Sequence, residues 1–366
     1  MATESDFSFR WILPPEYYQG NDFHEGRAWV QKERSGPWKL IDDNGDVLKD
    51  GFEARGISKY REGLADYYRG NTALDTFESG YLDKFGNVVI NVKNEGVLGH
   101  FGNNMTFKKG DNGLYGYVNI FTGEWEIQPI YEHIDYFEEG IALVFKDGKY
   151  GYIDVNGNNI TEFVFNDAFH FKNGMAIVKI GDKFGLVNKK GVIVAEPIYD
   201  GFYSYYSDLV GFHKNGKVGF VDATGKTVID FKFYSPPWHG QITEDSPNLK
   251  ISTSSPLYSF NNGRAIVFDE DTAKHWVINE KGDLLFPFDF GDSGQYVFRG
   301  GFIVRKYGEE TILYDVNGRR YNISPYLTPT SEVFLSDNGP FKAVDEKENK
   351  TGYFYIETDR DRRSLL

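Results

Sequence analysis

The residues YGYIDVNG at 150–157 indicate how this chain is organised, because the same pattern recurs along the sequence. It returns as FGLVNKKG at 184–191 and as VGFVDATG at 218–225, so the period is 34 residues. In each copy a glycine closes the stretch, and Asp or Asn lies three positions before it. A fixed period of this length is typical of a tandem repeat. The 366 residues must therefore be divided into repeats before domains are counted.

Eight copies of this phrase end on a glycine that follows an Asp or Asn. The glycines are Gly45, Gly86, Gly123, Gly157, Gly191, Gly225, Gly282 and Gly318. Their polar partners are Asp42, Asp83, Asn119, Asp154, Asn188, Asp222, Asn279 and Asp315. An Asx side chain at the first position of a turn accepts a bond from the backbone N–H two residues on, and glycine supplies a positive φ. Because Asn replaces Asp freely, we interpret these pairs as structural turns and not as calcium ligands or catalytic acids.

Two further segments accompany each phrase. An aromatic-x-x-Gly-x-Ala-x-Val segment precedes it at 23–30, 137–144, 171–178 and 260–267. A segment such as IQPIYE (127–132) or VAEPIYD (194–200) follows it. All three segments are rich in aromatic and β-branched residues, alternate with period two and are separated by Gly, Asn, Asp or Pro. This pattern predicts three short β-strands in each repeat.

The phrase also carries a glycine at its second position, as in Gly151 and Gly185. This glycine falls inside a predicted strand, where glycine normally weakens the structure. We expect it to mark a β-bulge or a close approach of another backbone.

The sequence therefore predicts an all-β protein of about nine three-stranded β-meander repeats. A single meander cannot bury its apolar face alone, so neighbouring repeats must stack. We expect an open β-solenoid or superhelix, with a closed β-propeller-like ring as the alternative. The predicted organisation is an N-terminal cap at 1–20, one repeat domain at 21–358 with an inserted loop at 232–258, and a solvated tail at 359–366.

These signatures together resemble the WG-repeat family, which is named after a Trp-Gly pair at the start of the phrase. Here the pair reads Tyr115-Gly116, Tyr150-Gly151 and Phe184-Gly185, whereas Trp38 keeps the aromatic ring and lacks the glycine. The family is known mainly from bacterial proteins. The resemblance implies a repeat scaffold that works with other proteins, with no common catalytic residue to transfer.

Composition excludes several classes of function. The net charge of −14 disfavours a phosphate-backbone partner, so we expect no nucleic acid. The chain has no Cys for disulfides or thiolate chemistry, and its seven His residues show no metal-ligand spacing, so we expect no metal and no cofactor. The first residues lack a signal-peptide pattern, and no apolar run approaches the roughly 18 residues of a membrane helix. A cytoplasmic protein without membrane insertion is the expectation, although a processed exported chain would look the same.

Candidate binding residues lie where the repeat is interrupted. The interval between Gly225 and Gly282 holds the inserted loop, which contains Trp238 and His239 and begins near Tyr234. This loop either contacts a partner through Trp238 or folds back over the edge of a sheet.

A second interruption, YDGFYSYYSD at 199–208, clusters three tyrosines where the aromatic-x-x-Gly segment is expected. Tyr203, Tyr205 and Tyr206 either form a binding surface or pack between strands.

Two functions fit these observations. The first is a non-enzymatic scaffold or binding subunit for a protein partner, and the acidic charge suggests that this partner has a basic face. The second is a carbohydrate-binding or glycan-processing protein that uses surface aromatics and paired carboxylates. The first is favoured, because most aromatics fall at repeat positions, as core residues do.

Overall fold

The computed structural model describes residues 7–70, 78–93, 101–203, 208–234, 258–288, 301–307, 309–327, 331–334, 340–345 and 350–358. These residues hold 33 β-strands, a 3-10 turn at Ser324–Tyr326 and no α-helix. The strands form nine small antiparallel sheets, which confirms the all-β prediction. Residues 1–97 with 290–366 make one compact unit, and residues 98–289 make a second.

The N-terminal stretch contains one long strand and two four-stranded sheets. The strands are β1 Phe7–Tyr17; β2 Gln19–Gly20, β3 Arg27–Gln31, β4 Trp38–Asp42 and β5 Val47–Phe52; and β6 Gly56–Ile57, β7 Leu64–Arg69, β8 Glu78–Asp83 and β9 Val88–Lys93. Strand β1 occupies most of the segment that we expected to be a cap.

The second unit contains five sheets. Their strands are β10 Phe101–Gly102, β11 Met105–Lys109, β12 Tyr115–Asn119 and β13 Trp125–Tyr131; β14 His133–Ile134, β15 Ile141–Lys146 and β16 Lys149–Asp154; β17 Asp167–Ala168, β18 Met175–Ile180, β19 Lys183–Asn188 and β20 Ile193–Tyr199; β21 Gly201–Phe202, β22 Leu209–Lys214, β23 Lys217–Asp222 and β24 Thr227–Tyr234; and β25 Ala265–Asp269, β26 Lys274–Ile278 and β27 Leu284–Phe288.

The C-terminal stretch completes the first unit with two sheets. They contain β28 Phe302–Tyr307, β29 Glu310–Asp315 and β30 Arg320–Asn322, then β31 Ser331–Phe334, β32 Phe341–Asp345 and β33 Lys350–Thr358. Residues 359–366, the predicted tail, lie outside the described residues.

The two ends of the chain share a sheet, because β1 pairs antiparallel with β33 from Phe7↔Thr358 to Tyr17↔Thr351. An open solenoid would place the first and last strands in different terminal repeats. The open-solenoid prediction is therefore wrong, and the nine sheets with their shared terminal sheet match the propeller-like alternative. The prediction of three strands per repeat was also incomplete, because six of the nine sheets have four strands.

Buried tyrosines join successive sheets. The hydroxyl of Tyr117 on β12 donates to the carbonyl oxygen of Asp135, just after β14, at 2.5 Å. Tyr152 on β16 repeats this bond to the carbonyl of Phe169 at 2.5 Å. Burial raises the pKa of Tyr117 well above its usual value, with Asp135 and Tyr131 adding to the effect. These hydroxyls keep buried carbonyls bonded while their rings fill the space between sheets.

The two glycines of the phrase meet different steric demands. A Cβ on Gly185 would lie 2.5 Å from the carbonyl oxygen of Ala195 on the partner strand, where the β19–β20 register shifts. Closing Gly225 has φ +85°, and a Cβ there would lie 1.7 Å from the carbonyl oxygen of Val194 in the preceding sheet. The first glycine allows a bulge within a sheet, whereas the second allows both the turn and the contact between sheets.

Candidate functional site

The recurring Asx side chains are engaged in turns. Asp154 Oδ1 accepts from the backbone N–H groups of Asn156 and Asn158, both at 2.9 Å. Asp42, Asp83, Asn188, Asp222, Asn279 and Asp315 accept the same bonds from the residues two and four positions on, and Asn119 accepts from those two and three positions on. Burial tends to raise the pKa of Asp154, but hydrogen bonds from Asn158 and Asn156 bring it below its ordinary value. All eight closing glycines have positive φ.

The aromatic-x-x-Gly segment forms a second kind of turn, here called the signature turn. Its last two residues both have positive φ, which defines the type I′ turn that suits a two-residue hairpin loop. The copies are Glu25-Gly26, Glu62-Gly63, Glu139-Gly140, Asn173-Gly174 and Asn262-Gly263. A glutamate with positive φ is uncommon, so a contact of its side chain must stabilise this backbone conformation.

The glutamate carboxylate bonds to the next repeat, and this bond is here called the carboxylate latch. Glu139 accepts from the backbone N–H of Asn173 at 2.7 Å and from that of Gly174 at 3.0 Å, so it caps the next signature turn. Glu25 likewise accepts from the N–H of Gly63 at 2.9 Å. The left-handed backbone of the glutamate places its carboxylate on the following repeat, 34 to 38 residues away.

Two lysines neutralise the latch between the β14–β16 and β17–β20 sheets. Lys189 Nζ lies 2.9 Å from Glu139 Oε2, and Lys172 Nζ lies 2.8 Å from Glu138 Oε1. Burial tends to raise the pKa of Glu139, but the bonds from Lys189, Gly174 and Asn173 bring it below its ordinary value. Both glutamates of this signature turn are thus satisfied within the protein.

The latch pattern breaks in the next repeat. Asp208, immediately before β22, takes the place of the turn glycine, and residues 204–207 lie outside the described residues. A cavity of about 290 Å³ lies between this point and the signature turns on either side, and we call it the Asp208 pocket. Its walls include Asn173, Asp208, Leu209, Phe260, Asn262 and Glu280.

The Asp208 pocket combines acidic and apolar surface. Asp208 and Glu280 are exposed, and within the described part of the chain neither carboxylate has a hydrogen bond or an ion pair. Leu209 and Phe260 are buried at its base, 7% and 4% exposed. Arg264 and Lys281 directly follow Gly263 and Glu280 in the sequence, and Arg264 Nη1 donates to the carbonyl oxygen of Gly263 at 2.8 Å.

Only two of the six residues proposed from the sequence as binding residues can be placed. Tyr203 is 3% exposed, and its ring lies 4.6 Å from that of Tyr258, which is the strand-packing alternative. The hydroxyl of Tyr258 donates to the carbonyl oxygen of half-buried Tyr234, so these three tyrosines are connected. Tyr205, Tyr206, Trp238 and His239 lie outside the described residues.

Sequence reasoning missed a third type of hydrogen bond, in which a side chain caps the hairpin between two long strands of a sheet, such as β15 and β16. Glu132 accepts from the N–H of Asp147 at 2.8 Å, and Asp200 accepts from the N–H of Asn215 at 2.7 Å. Asn166 does the same for Gly181 at 2.9 Å, and each pair is 15 residues apart. The signal was present, since Glu132 and Asp200 directly follow the PIY motif.

The residues that the structure describes contain no group of three or more His, Asp or Glu side chains arranged to hold a metal ion. They also contain no helix long and apolar enough to cross a membrane.

The geometry defines a class of protein in which small antiparallel sheets follow tandem sequence repeats. The family model described as "WG containing repeat" matches residues 8–34, 115–150, 150–184 and 184–217. These matches confirm the predicted resemblance to the WG-repeat family over the matched segments.

Comparison with solved structures supports the fold alone. The chain is similar to a structure described as the eukaryotic initiation factor, with 10% identity over 88% of this chain and 91% of that chain and a TM-score of 0.51. It is also similar to the WD40 domain of SCAP from fission yeast, with 9% identity, coverage of 96% and 98% and a TM-score of 0.42. For the computationally designed Ika8 protein the identity is 13%, the coverage 94% and 99%, and the TM-score 0.43. No curated protein matches the chain.

Proposed function

We propose that this protein is a non-enzymatic interaction scaffold that binds a protein partner. The observation that carries the proposal is the Asp208 pocket, where the latch pattern breaks and two carboxylates have no partner among the described residues. Elsewhere acids of the signature turns bond to the protein itself, as Glu139 and Glu25 do. A repeat protein tolerates such a local departure, because each repeat contacts only its neighbours.

The use of the periodic carboxylates supports binding over catalysis. A general acid or base must reach the proton that it transfers. The Asx carboxylates instead accept backbone N–H bonds in their own turns, as Asp154 and Asp222 do. The recurring acidic residues of the phrase therefore have a structural role.

Charge supports a partner with a basic face. The net charge of −14 and the acidic pocket would attract such a partner and raise its association rate. The same charge disfavours nucleic acid. We place this encounter in the cytoplasm.

Affinity purification tests the scaffold function. The full chain carrying a tag would be recovered from the native cell, and proteins enriched over a tag-only control would be identified and purified separately. The expected result is a purified pair that elutes as one complex in size-exclusion chromatography and dissociates at high salt. If no purified candidate forms a complex with the chain at micromolar concentration, the proposal is wrong.

The carbohydrate alternative has less support from the residues that can be placed. Tyr203 is buried against Tyr258, so its ring is not offered to a sugar. A glycan array probed with the full chain would separate the two functions, since a scaffold for a basic protein predicts no specific glycan binding.

A further inference from the structure

We infer that the Asp208 pocket receives a lysine or arginine side chain of the protein partner. This inference rests on the proposed scaffold function and specifies its chemistry. The cation would occupy the type of position that Lys189 holds in the latch two repeats earlier, where its ammonium group contacts the signature turn of the preceding sheet.

The protein itself shows how this step binds an ammonium group. Lys189 Nζ lies 2.9 Å from Glu139 Oε2 and 3.2 Å from the carbonyl oxygen of Glu139. It follows Asn188, the Asx residue of its own phrase. The bound cation thus reaches the signature turn of the preceding sheet from an Asx turn, with a carboxylate and a carbonyl as its ligands.

At the Asp208 pocket this internal cation is replaced by an acid. Glu280 follows Asn279 as Lys189 follows Asn188, so the two residues have the same register in the repeat. Glu280 Oε1 is 3.8 Å from where a Cβ on Gly263 of its own repeat would be, and Glu280 lines the pocket together with Asp208 of the preceding sheet. The exchange of Lys for Glu removes a positive charge and adds a negative one at a position built to face a signature turn.

The remaining walls fit a long basic side chain. Asn173 offers an amide oxygen as an additional acceptor, and buried Leu209 and Phe260 can cover an aliphatic stem. The cavity of about 290 Å³ lies at the small end of ligand pockets, which run from roughly 300 to 1,000 Å³. That size suits one side chain better than a drug-sized ligand.

The test uses fluorescein-labelled hexalysine and hexaarginine as probes, with binding followed by anisotropy at 0.15 M salt. D208N/E280Q should weaken the binding of the preferred probe about tenfold, which corresponds to about 1.4 kcal/mol. The matched control D111N/E124Q removes two exposed charges from the same unit and should change the dissociation constant less than about twofold, as a surface pair far from a site does. The variant E280K should weaken binding at least as much as the double variant, because it restores the lysine that Lys189 supplies in the intact latch.

Three outcomes overturn the inference. Equal weakening by D208N/E280Q and D111N/E124Q would show that the peptides bind through net charge alone. Unchanged binding to D208N/E280Q would show that the pocket is not the site. Binding of labelled hexaglutamate that D208N/E280Q strengthens would assign the pocket to anions. Because Asp208 and Glu280 are exposed and unpaired in the described structure, melting temperatures should match the wild type and exclude misfolding.

The scaffold proposal and the pocket inference can fail separately. A partner that binds the wild type and D208N/E280Q equally would leave the scaffold standing and remove the pocket. Failure of every candidate partner to bind would remove the scaffold, whereas the peptide titration would still report on the chemistry of the pocket.

Discussion

Replacing Gly225 with alanine should destabilise the protein far more than replacing Gly216 with alanine. Both glycines have positive φ, +85° and +76°, so each substitution places alanine in the left-handed region. Their surroundings differ. A Cβ on Gly225 would lie 1.7 Å from the carbonyl oxygen of Val194, whereas a Cβ on Gly216 has no atom within 4 Å. The pair therefore separates backbone strain from contact between sheets.

The expected magnitudes follow from these distances. The left-handed conformation costs an alanine roughly 1–2 kcal/mol, and this is the whole expected effect at Gly216. At Gly225 the two sheets must separate by roughly 1.5–2 Å to reach an ordinary contact distance. Overpacking of that kind adds about 1–3 kcal/mol, so the total for Gly225→Ala is about 4 kcal/mol.

Thermal unfolding followed by circular dichroism measures the difference. For a unit of this size about 1 kcal/mol lowers the melting temperature by roughly 2–4 °C, so Gly225→Ala should lower it by about 12 °C and Gly216→Ala by about 5 °C. Urea titrations of both variants provide an independent order of stability. Equal losses would show that the closing glycine serves its own turn only, and the contact with Val194 would then not explain why this glycine recurs every 34 residues.

Three further changes test the other devices. Asp154→Asn should change stability by less than about 0.5 kcal/mol, because Asn accepts the same two N–H bonds, whereas Asp154→Ala should cost about 1 kcal/mol in urea unfolding. Tyr117→Phe should cost about 1–2 kcal/mol, since it leaves the buried carbonyl of Asp135 unbonded, and a loss no larger than that of exposed Tyr326→Phe would contradict the bond between sheets. Glu139→Gln should remove a contribution to the free energy of unfolding that depends on pH. The pKa of Glu139 is lower in the folded protein than the ordinary value near 4.3. The stabilisation from Glu139 is therefore complete above that value and is lost as the pH falls through the lower pKa of the folded state. Melting temperatures of wild type and Glu139→Gln should therefore differ at pH 7 and converge in acid, and a constant difference from pH 7 to pH 2 would refute the latch.

Local chemistry made the strands and the Asx turns predictable from the sequence. Asp154 and Gly157 specify a turn within four residues, and the alternating apolar residues on each side specify the strands. The pairing of β1 with β33 was not predictable in this way. Its partners are more than 300 residues apart, and β1 carries no copy of the phrase. The choice between an open array and a closed one depends on that single long-range pairing, and so the local pattern favoured the wrong arrangement.

The candidate site was only partly predictable for a related reason. The sequence marks 199–208 as an interruption of the repeat, and its tyrosines were the predicted binding residues. Tyr203, however, is buried. The acidic residues that matter for the proposed site, Asp208 and Glu280, look ordinary in the sequence, because their significance depends on a comparison with Glu139 and Lys189 in space. The latch could not be predicted from the alternation of apolar residues, because that alternation reports only on the strand that carries it. The carboxylate of Glu139, which has a positive φ, instead bonds to the next repeat.

The same comparison explains why binding should concentrate at an interruption. In an intact step the latch carboxylate bonds to two N–H groups and a lysine, so few of its acceptor positions remain for another molecule. At the Asp208 pocket acids replace both the lysine and the turn glycine, and these acids have no hydrogen bond or ion pair within the described part of the chain. Regular repeats thus provide the shape, while the altered repeat provides the unsatisfied charge. A partner cation can supply at that step what Lys189 supplies within the chain two repeats earlier.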